Sequence, residues 1–251
     1  MFQITKEEGT NLIRQIDSIE RLESCLVEAE DFRIKNSRPF VIVSYAQSVD
    51  GSIATRSRQP IGLSGTESAI LTHQIRACSD AILIGIGTLL ADDPRLTVRR
   101  VEGCNPQPII LDTHLRTPLN ARLLKRSDPR PWIINAEDNR SAHSLALQNA
   151  GSTLIGCATS RDGKIDLHTL LNILAKKQIN SIMVEGGARV ITSFVNSRLV
   201  DLFIVSVAPR FVGGLPVIDS DRLQSGLHLK LAEVSYRQMG DDMIIWASPA
   251  W

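Results

Sequence analysis

Residues 81–84, Ala-Ile-Leu-Ile, form an apolar run with no polar alternation, preceded by the helix-breaking pair Ser79-Asp80. Such a run reads as a strand buried on both faces, which is the mark of a parallel sheet covered by helices. Gly85-Ile86-Gly87-Thr88 follows at its carboxyl end, where open α/β sheets place their ligand crevice. Two glycines let a backbone pass close to a ligand, and Thr88 adds a hydroxyl beside them. Asp92-Asp93-Pro94 ends the short helical turn, and Arg95 and Arg99 flank Leu96-Thr97-Val98. A buried strand, a glycine turn, an acidic pair and nearby arginines suit the lining of a site for a charged ligand. The same residues also fit an ordinary strand–turn–helix whose charges face water.

Further runs repeat the theme. Phe40–Val43, Pro108–Leu111, Pro131–Asn135, Thr153–Ile155, Ser181–Val184 and Val200–Ala208 read as strands. Between them, Ser64 with Glu67 has capping-box spacing for a helix through about Cys78, Ser141 opens a helix closed by Gly151, and Leu167–Lys177 carries leucines at helical spacing. Leu227–Val234 and Met243–Ala247 suit closing antiparallel strands. Leu12, Ile13, Ile16, Ile19 and Leu22 recur at helical spacing, so residues 1–36 are expected to form a helical extension before the main domain, 37–251. The expected class is α/β, a mixed and mostly parallel sheet with helices on both faces. Asp50-Gly51 reads as a hairpin bend, though the polar run Ser44–Ala54 leaving a buried strand equally suits a pocket lining, and Arg56–Gly62 reads as a mobile loop.

A second glycine pair, Gly186-Gly187, stands between the strand Ser181–Val184 and a helix opening at Ala188. There it presents backbone N–H groups to an anion, with Glu185 at the strand tip. Tight strand–helix packing explains the same glycines equally simply. A full G-x-G-x-x-G occurs nowhere in the 251 residues.

Composition excludes several classes. The formal net charge of +1 provides no global field for nucleic acid or an anionic membrane. No apolar run has the length of a membrane span, and the first residues lack the basic start and apolar core of a secretory signal. Cys25, Cys78, Cys104 and Cys157 lie far apart, so no zinc or other metal site is expected, and a reducing, cytoplasmic setting is.

Taken together, the motifs resemble the reductase family of riboflavin biosynthesis, the dihydrofolate-reductase-like family found alone or fused behind a deaminase. The matching pieces are S-x-D-G-x-I-A at Ser48–Ala54, Arg76-Ala77, and G-x-G-T-x-x-x-D-D-P-x-L-T-V-R from Gly85 to Arg99. L-R-x-P-L-N-A-R-L-L across Leu115–Leu124, V-E-G-G at Val184–Gly187 and the run Leu199–Gly214 continue them. The deaminase signature is missing, so the chain is similar to the standalone, archaeal-type 2,5-diamino-6-ribosylamino-4(3H)-pyrimidinone 5′-phosphate reductases. Ser44 stands where fused bacterial members usually carry a lysine.

The resemblance implies NADPH-dependent reduction of a ribosylaminopyrimidine 5′-phosphate to its ribitylamino form, by a homodimer. It implies cofactor contacts at Ala46, Thr88, Asp92, Thr113, His114, Leu115 and Arg116, and along Gly186, Gly187, Ala188, Arg189 and Val190. It implies substrate contacts at Arg76, Leu96, Arg99 and Glu185, with the two arginines suited to the phosphate. Asp50 is the nearest unassigned carboxylate and, with Glu185, the candidate catalytic acid. A diverged reductase acting on another heterocycle, and a non-catalytic nucleotide-binding module, are the rival expectations.

Overall fold

A computed structural model of the chain describes residues 18–137, 141–224 and 228–251. The apolar positions 12, 13 and 16 therefore lie outside the described residues. Two helices come first, α1 (Ser18–Val27) and α2 (Ala29–Asn36). Then follow β1 (Phe40–Ser48), β2 (Ser52–Ala54), α3 (Thr66–Cys78), β3 (Ala81–Gly85) and α4 (Ile86–Asp92). The middle of the chain supplies β4 (Gln107–Leu111), β5 (Trp132–Ala136), α5 (Ala142–Asn149), β6 (Thr153–Cys157) and α6 (Leu167–Lys176). The last third supplies β7 (Ser181–Val184), α7 (Ala188–Asn196), β8 (Leu202–Ala208), β9 (Leu215–Pro216), β10 (Lys230–Met239) and β11 (Asp242–Ala250).

Nine strands form one sheet in the order β10-β11-β8-β1-β7-β3-β4-β5-β6. From β8 to β6 every neighbouring pair is parallel, and β11 joins β8 antiparallel. This is the mixed, mostly parallel sheet expected. Successive residues of each strand feed opposite cores. Val41, Val43, Leu83 and Ile109 pack with Leu170, Leu174, Ile191 and Phe194 of α6 and α7 on one face. Ile42, Ile82, Ile84 and Ile110 pack with Leu22, Leu71, Ile75 and Leu147 of α1, α3 and α5 on the other. Burial on both faces is why these strands read as unbroken apolar runs.

Two expectations for helix α3 and strand β2 are corrected. Ser64 and Glu67 form no capping box: α3 starts at Thr66 with Gly65 as its N-cap, and no side-chain cap bond is made locally. The buried Asp242 carboxylate does that work from β11, accepting from Gly65 N at 2.8 Å and from the Ser68 hydroxyl. After the turn at Gly51, β2 pairs with β9 rather than folding back in a β1 ladder. Gly214 makes that pairing possible, since a Cβ there would stand 1.9 Å from the Ala54 carbonyl oxygen. Ser141 does cap α5, in a reciprocal box with Ser144.

Candidate active site

The ladder between β1 and β7 ends at Val43 opposite Val184, and β1 runs on to Ser48. Past that point the sheet splits at the carboxyl ends of β1, β7 and β3, and a cleft of about 1170 Å³ opens there. This exceeds the roughly 300–1,000 Å³ of a single small-ligand pocket.

One wall is the junction of α4 and α7. Gly187, the N-cap of α7, donates its N–H to Thr88 Oγ1 at 3.1 Å. Among the described residues the Thr88 hydroxyl donates no hydrogen bond. The first-turn N–H groups of Ala188 and Arg189 have no acceptor within the helix and stand at the cleft. The three glycines differ in what holds them. A Cβ on Gly186 would meet Val190 Cβ at 2.6 Å and one on Gly85 would meet Val190 Cγ2 at 2.6 Å, so both are required by packing of α7 on the strands. A Cβ on Gly87 would meet nothing within 4 Å, which leaves open space over the backbone at the cleft wall.

The next wall is the loop after β4. Buried Asp112 shapes it, with Oδ2 accepting from Thr117 N and Thr117 Oγ1, both at 2.7 Å. Leu115 turns inward at φ 51° and is buried, while Thr113 and Arg116 border the cleft. Arg116 and Arg189 are exposed and make no ion pair or side-chain hydrogen bond among the described residues. His114 is exposed and, like Leu115, does not line the cleft.

The opposite wall carries Arg76 and Glu185. Arg76 Nε and Nη2 donate to the two Glu185 carboxylate oxygens at 2.6 Å each, and Nη1 donates to the Thr97 carbonyl at 3.2 Å. Both side chains are largely covered, 11% and 17% exposed. Burial alone pushes the Arg76 pKa down, and the Glu185 charge more than reverses it. Arg76 is thus a strap holding β7 and the Leu96–Arg99 segment to α3, with its guanidinium already engaged by Glu185 where a phosphate contact was expected. Leu96 is 2% exposed, with its side chain in the core. Arg99 is exposed outside the cleft lining, close enough to feel the charges of Arg76 and Glu185.

Asp50, the other candidate acid, stands apart from the cleft. Its carboxylate accepts from the Ser48 and Ser52 hydroxyls and from the Val212 and Gly213 N–H groups. The Ser48 hydroxyl first, then the Val212 amide, hold its pKa well below the usual carboxylate range. With both oxygens engaged by these four donors, Asp50 does not line the cleft. It instead ties the β1–β2 turn to the loop before β9. That two-stranded flap sends Ile53 and Leu215 to the cleft, and the loop after β2 adds Ile61. Ile53 and Ser206 fall within the matched motifs and Ser44 beside them, whereas Ile61, Thr72 and Lys164 are cleft residues for which the motifs held no signal.

A parallel sheet that splits beside a glycine-flanked helix start defines an α/β protein with an open cleft at its strand carboxyl ends, lined by arginines and helix-start amides. The description "RibD C-terminal domain" matches residues 39–245, and the chain belongs to that family. It is 36% identical over 217 residues to the 2,5-diamino-6-ribosylamino-4(3H)-pyrimidinone 5′-phosphate reductase of Methanothermobacter thermautotrophicus, covering 83% of this chain and 97% of the relative. It is 31% identical to the riboflavin biosynthesis protein RibD of Aquifex aeolicus, of which it spans 60%, with 86% of this chain covered. Among solved structures, the Saccharomyces riboflavin biosynthesis reductase Rib7 superposes with a TM-score of 0.68 at 26% identity, over 92% of this chain and all of that one (100%). RibD of Acinetobacter baumannii shares the fold, with a TM-score of 0.78 at 24% identity, over 92% of this chain and 64% of that one. No helix among the described residues is long and apolar enough to cross a membrane.

Proposed function

We propose that this chain is an NADPH-dependent reductase that converts 2,5-diamino-6-ribosylamino-4(3H)-pyrimidinone 5′-phosphate into its ribitylamino form, in riboflavin biosynthesis. The observation that carries it is the cleft itself, with its free helix-start amides on one wall and the Arg76–Glu185 pair on the other. Identity to the archaeal reductase over nearly that protein's whole length names the substrate class.

The residues present fit a phosphorylated dinucleotide. The open space over Gly87 and the unbonded first-turn amides of α7 suit a pyrophosphate, with Arg189 beside them. Arg116, unpaired among the described residues, offers a planar fork to a 2′-phosphate and so favours NADPH over NADH. Ala46, Thr88, Asp92, Thr113 and Val190 complete that side. When bound, the reduced nicotinamide supplies the hydride taken up at the ribose C1′ carbon. The chain's own work is orientation: the Arg76–Glu185 wall orients the pyrimidine, Arg99 meets the phosphate beside it, and the flap keeps water from the reacting carbon. Asp50 serves that flap as an anchor. Reduced, dispersed thiols suit a cytoplasmic protein. A homodimer is the proposed working form, since β10 is the sheet edge and exposes Leu231, Val234 and Tyr236. A monomer in sedimentation equilibrium would remove it.

The deciding experiment follows NADPH oxidation with the diamino pyrimidine phosphate and with its deaminated counterpart. Faster turnover of the diamino compound is expected. Cofactor binding without turnover of either would favour a nucleotide-binding module instead.

A further inference from the structure

The segment Leu96–Arg100 has no regular structure, yet four contacts hold it. Leu96, at φ 50°, buries its side chain, and the Thr97 carbonyl accepts from Arg76. Val98 N donates to Asn105 Oδ1 at 2.8 Å, and Arg99 N donates to His73 Nδ1 at 2.9 Å. His73 and Arg76 are three residues apart on α3 and so share one face of it. The two grip neighbouring points of the same loop. His73 is 4% exposed, and a ring whose Nδ1 accepts must be neutral with its proton on Nε2. Its surroundings keep it so: burial, then the charges of Arg76, Arg99 and Arg100, push its pKa down to about 4 against the opposing pull of Glu185.

We propose that His73 is a positioning residue for the substrate phosphate: its Nδ1 lone pair pins the Arg99 amide and so sets where the Arg99 guanidinium stands. This rests on Arg99 being the phosphate contact, as proposed above. Among the described residues the guanidinium hydrogen-bonds only the Thr97 hydroxyl, through Nη1 at 3.0 Å, so most of its donors are available to a phosphate. With its exposed side chain otherwise unrestrained, the backbone anchor decides its origin. Neither an apolar residue nor a cation at position 73 can accept the Arg99 N–H.

Three variants test it. Asn places Oδ1 where the imidazole Nδ1 stands, Gln places its oxygen one bond further out, and Ala removes the acceptor. The readouts are steady-state kinetics at saturating NADPH, on the pyrimidine 5′-phosphate and on the same riboside without phosphate, and hydrogen exchange of the Arg99 amide. His73→Gln and His73→Ala are expected to raise KM for the phosphorylated substrate about tenfold, the loss of one well-placed charge-assisted contact, with kcat within about twofold. The riboside should be indifferent to both. His73→Asn should keep a near-normal KM and a protected Arg99 amide, whereas the Gln and Ala variants exchange that amide faster. If Asn is as impaired as Gln, or if exchange is the same in all three, the proposal is overturned. Should His73→Ala fail to fold, the Asn and Gln variants, alike in chemistry, still carry the comparison. Arg99→Ala separates the proposal from its foundation. If it spares the phosphate preference, the phosphate lies elsewhere and both fall. If it abolishes the preference while the His73 variants keep theirs, only the role of His73 is wrong.

Discussion

Replacing Glu185 by Gln distinguishes a carboxylate that holds the cleft together from one that only waits for a ligand. In the folded chain both Glu185 oxygens accept from Arg76 at 2.6 Å, and the two side chains are 17% and 11% exposed. Gln keeps one acceptor, turns an N–H toward the other guanidinium donor, and strands a largely covered cation. Removing one member of a fully buried pair costs about 3–5 kcal/mol, most of it the unpaired charge that remains. Some water reaches this pair, which puts the expected loss near the lower end, about 3 kcal/mol. For a chain of this size that lowers Tm by roughly 6–12 °C. Urea unfolding should give the same loss through the midpoint at unchanged slope. The cycle is closed with Arg76→Met, alone and combined with Glu185→Gln. The double variant should be more stable than Glu185→Gln alone, because the stranded charge is gone, with a coupling of about 2–3 kcal/mol. A Glu185→Gln protein that unfolds at the wild-type temperature but binds the pyrimidine poorly would refute the reasoning. So would simple additivity of the two substitutions.

Other consequences follow from packing and titration. Leu22 of α1 is 0% exposed in the core shared with α3, so Leu22→Ala should lose about 2–5 kcal/mol in urea unfolding, although it lies before the family's matched segment. Gly186→Ala forces a Cβ to 2.6 Å from Val190 and should destabilise by about 1–3 kcal/mol in thermal unfolding. Gly187→Ala, whose Cβ would meet only the Thr88 hydroxyl at 3.3 Å, should cost less than Gly186→Ala in the same assay. His73 gives a pH signature. Its folded pKa of about 4 lies below the ordinary 6.5, so the unfolded chain takes up the proton first as pH falls. Its contribution is complete above about pH 6.5 and is lost progressively toward pH 4, and His73→Asn should flatten the stability curve in that window.

The strands of the parallel sheet were legible because each is buried on both faces, which leaves an unbroken apolar run such as Ala81–Ile84 or Ser181–Val184. The Ser141 cap and the turn at Gly51 were legible for the same reason: the groups that satisfy one another lie within a few residues. Turn chemistry, helix periodicity and the placing of glycines after strands are local properties, and the order of residues determines them alone. Strand order is not local. Nothing in the pattern of Ser181–Val184 says that β7 inserts between β1 and β3, yet that insertion brings Glu185 to Arg76 across 109 positions. The same holds for Asp242 capping α3 from 177 residues away at Gly65, and for β9 pairing β2. From the sequence Asp50 reads as an unassigned carboxylate beside a turn, because its two amide donors, Val212 and Gly213, are more than 160 residues distant in sequence and adjacent only in the fold. Sequence by itself determined which segments are strands, helices and turns, and which polar residues stand at strand ends. Only the tertiary structure decided which charges are spent on each other and which are left for a ligand, because partners are chosen by distance in space after the apolar faces have packed.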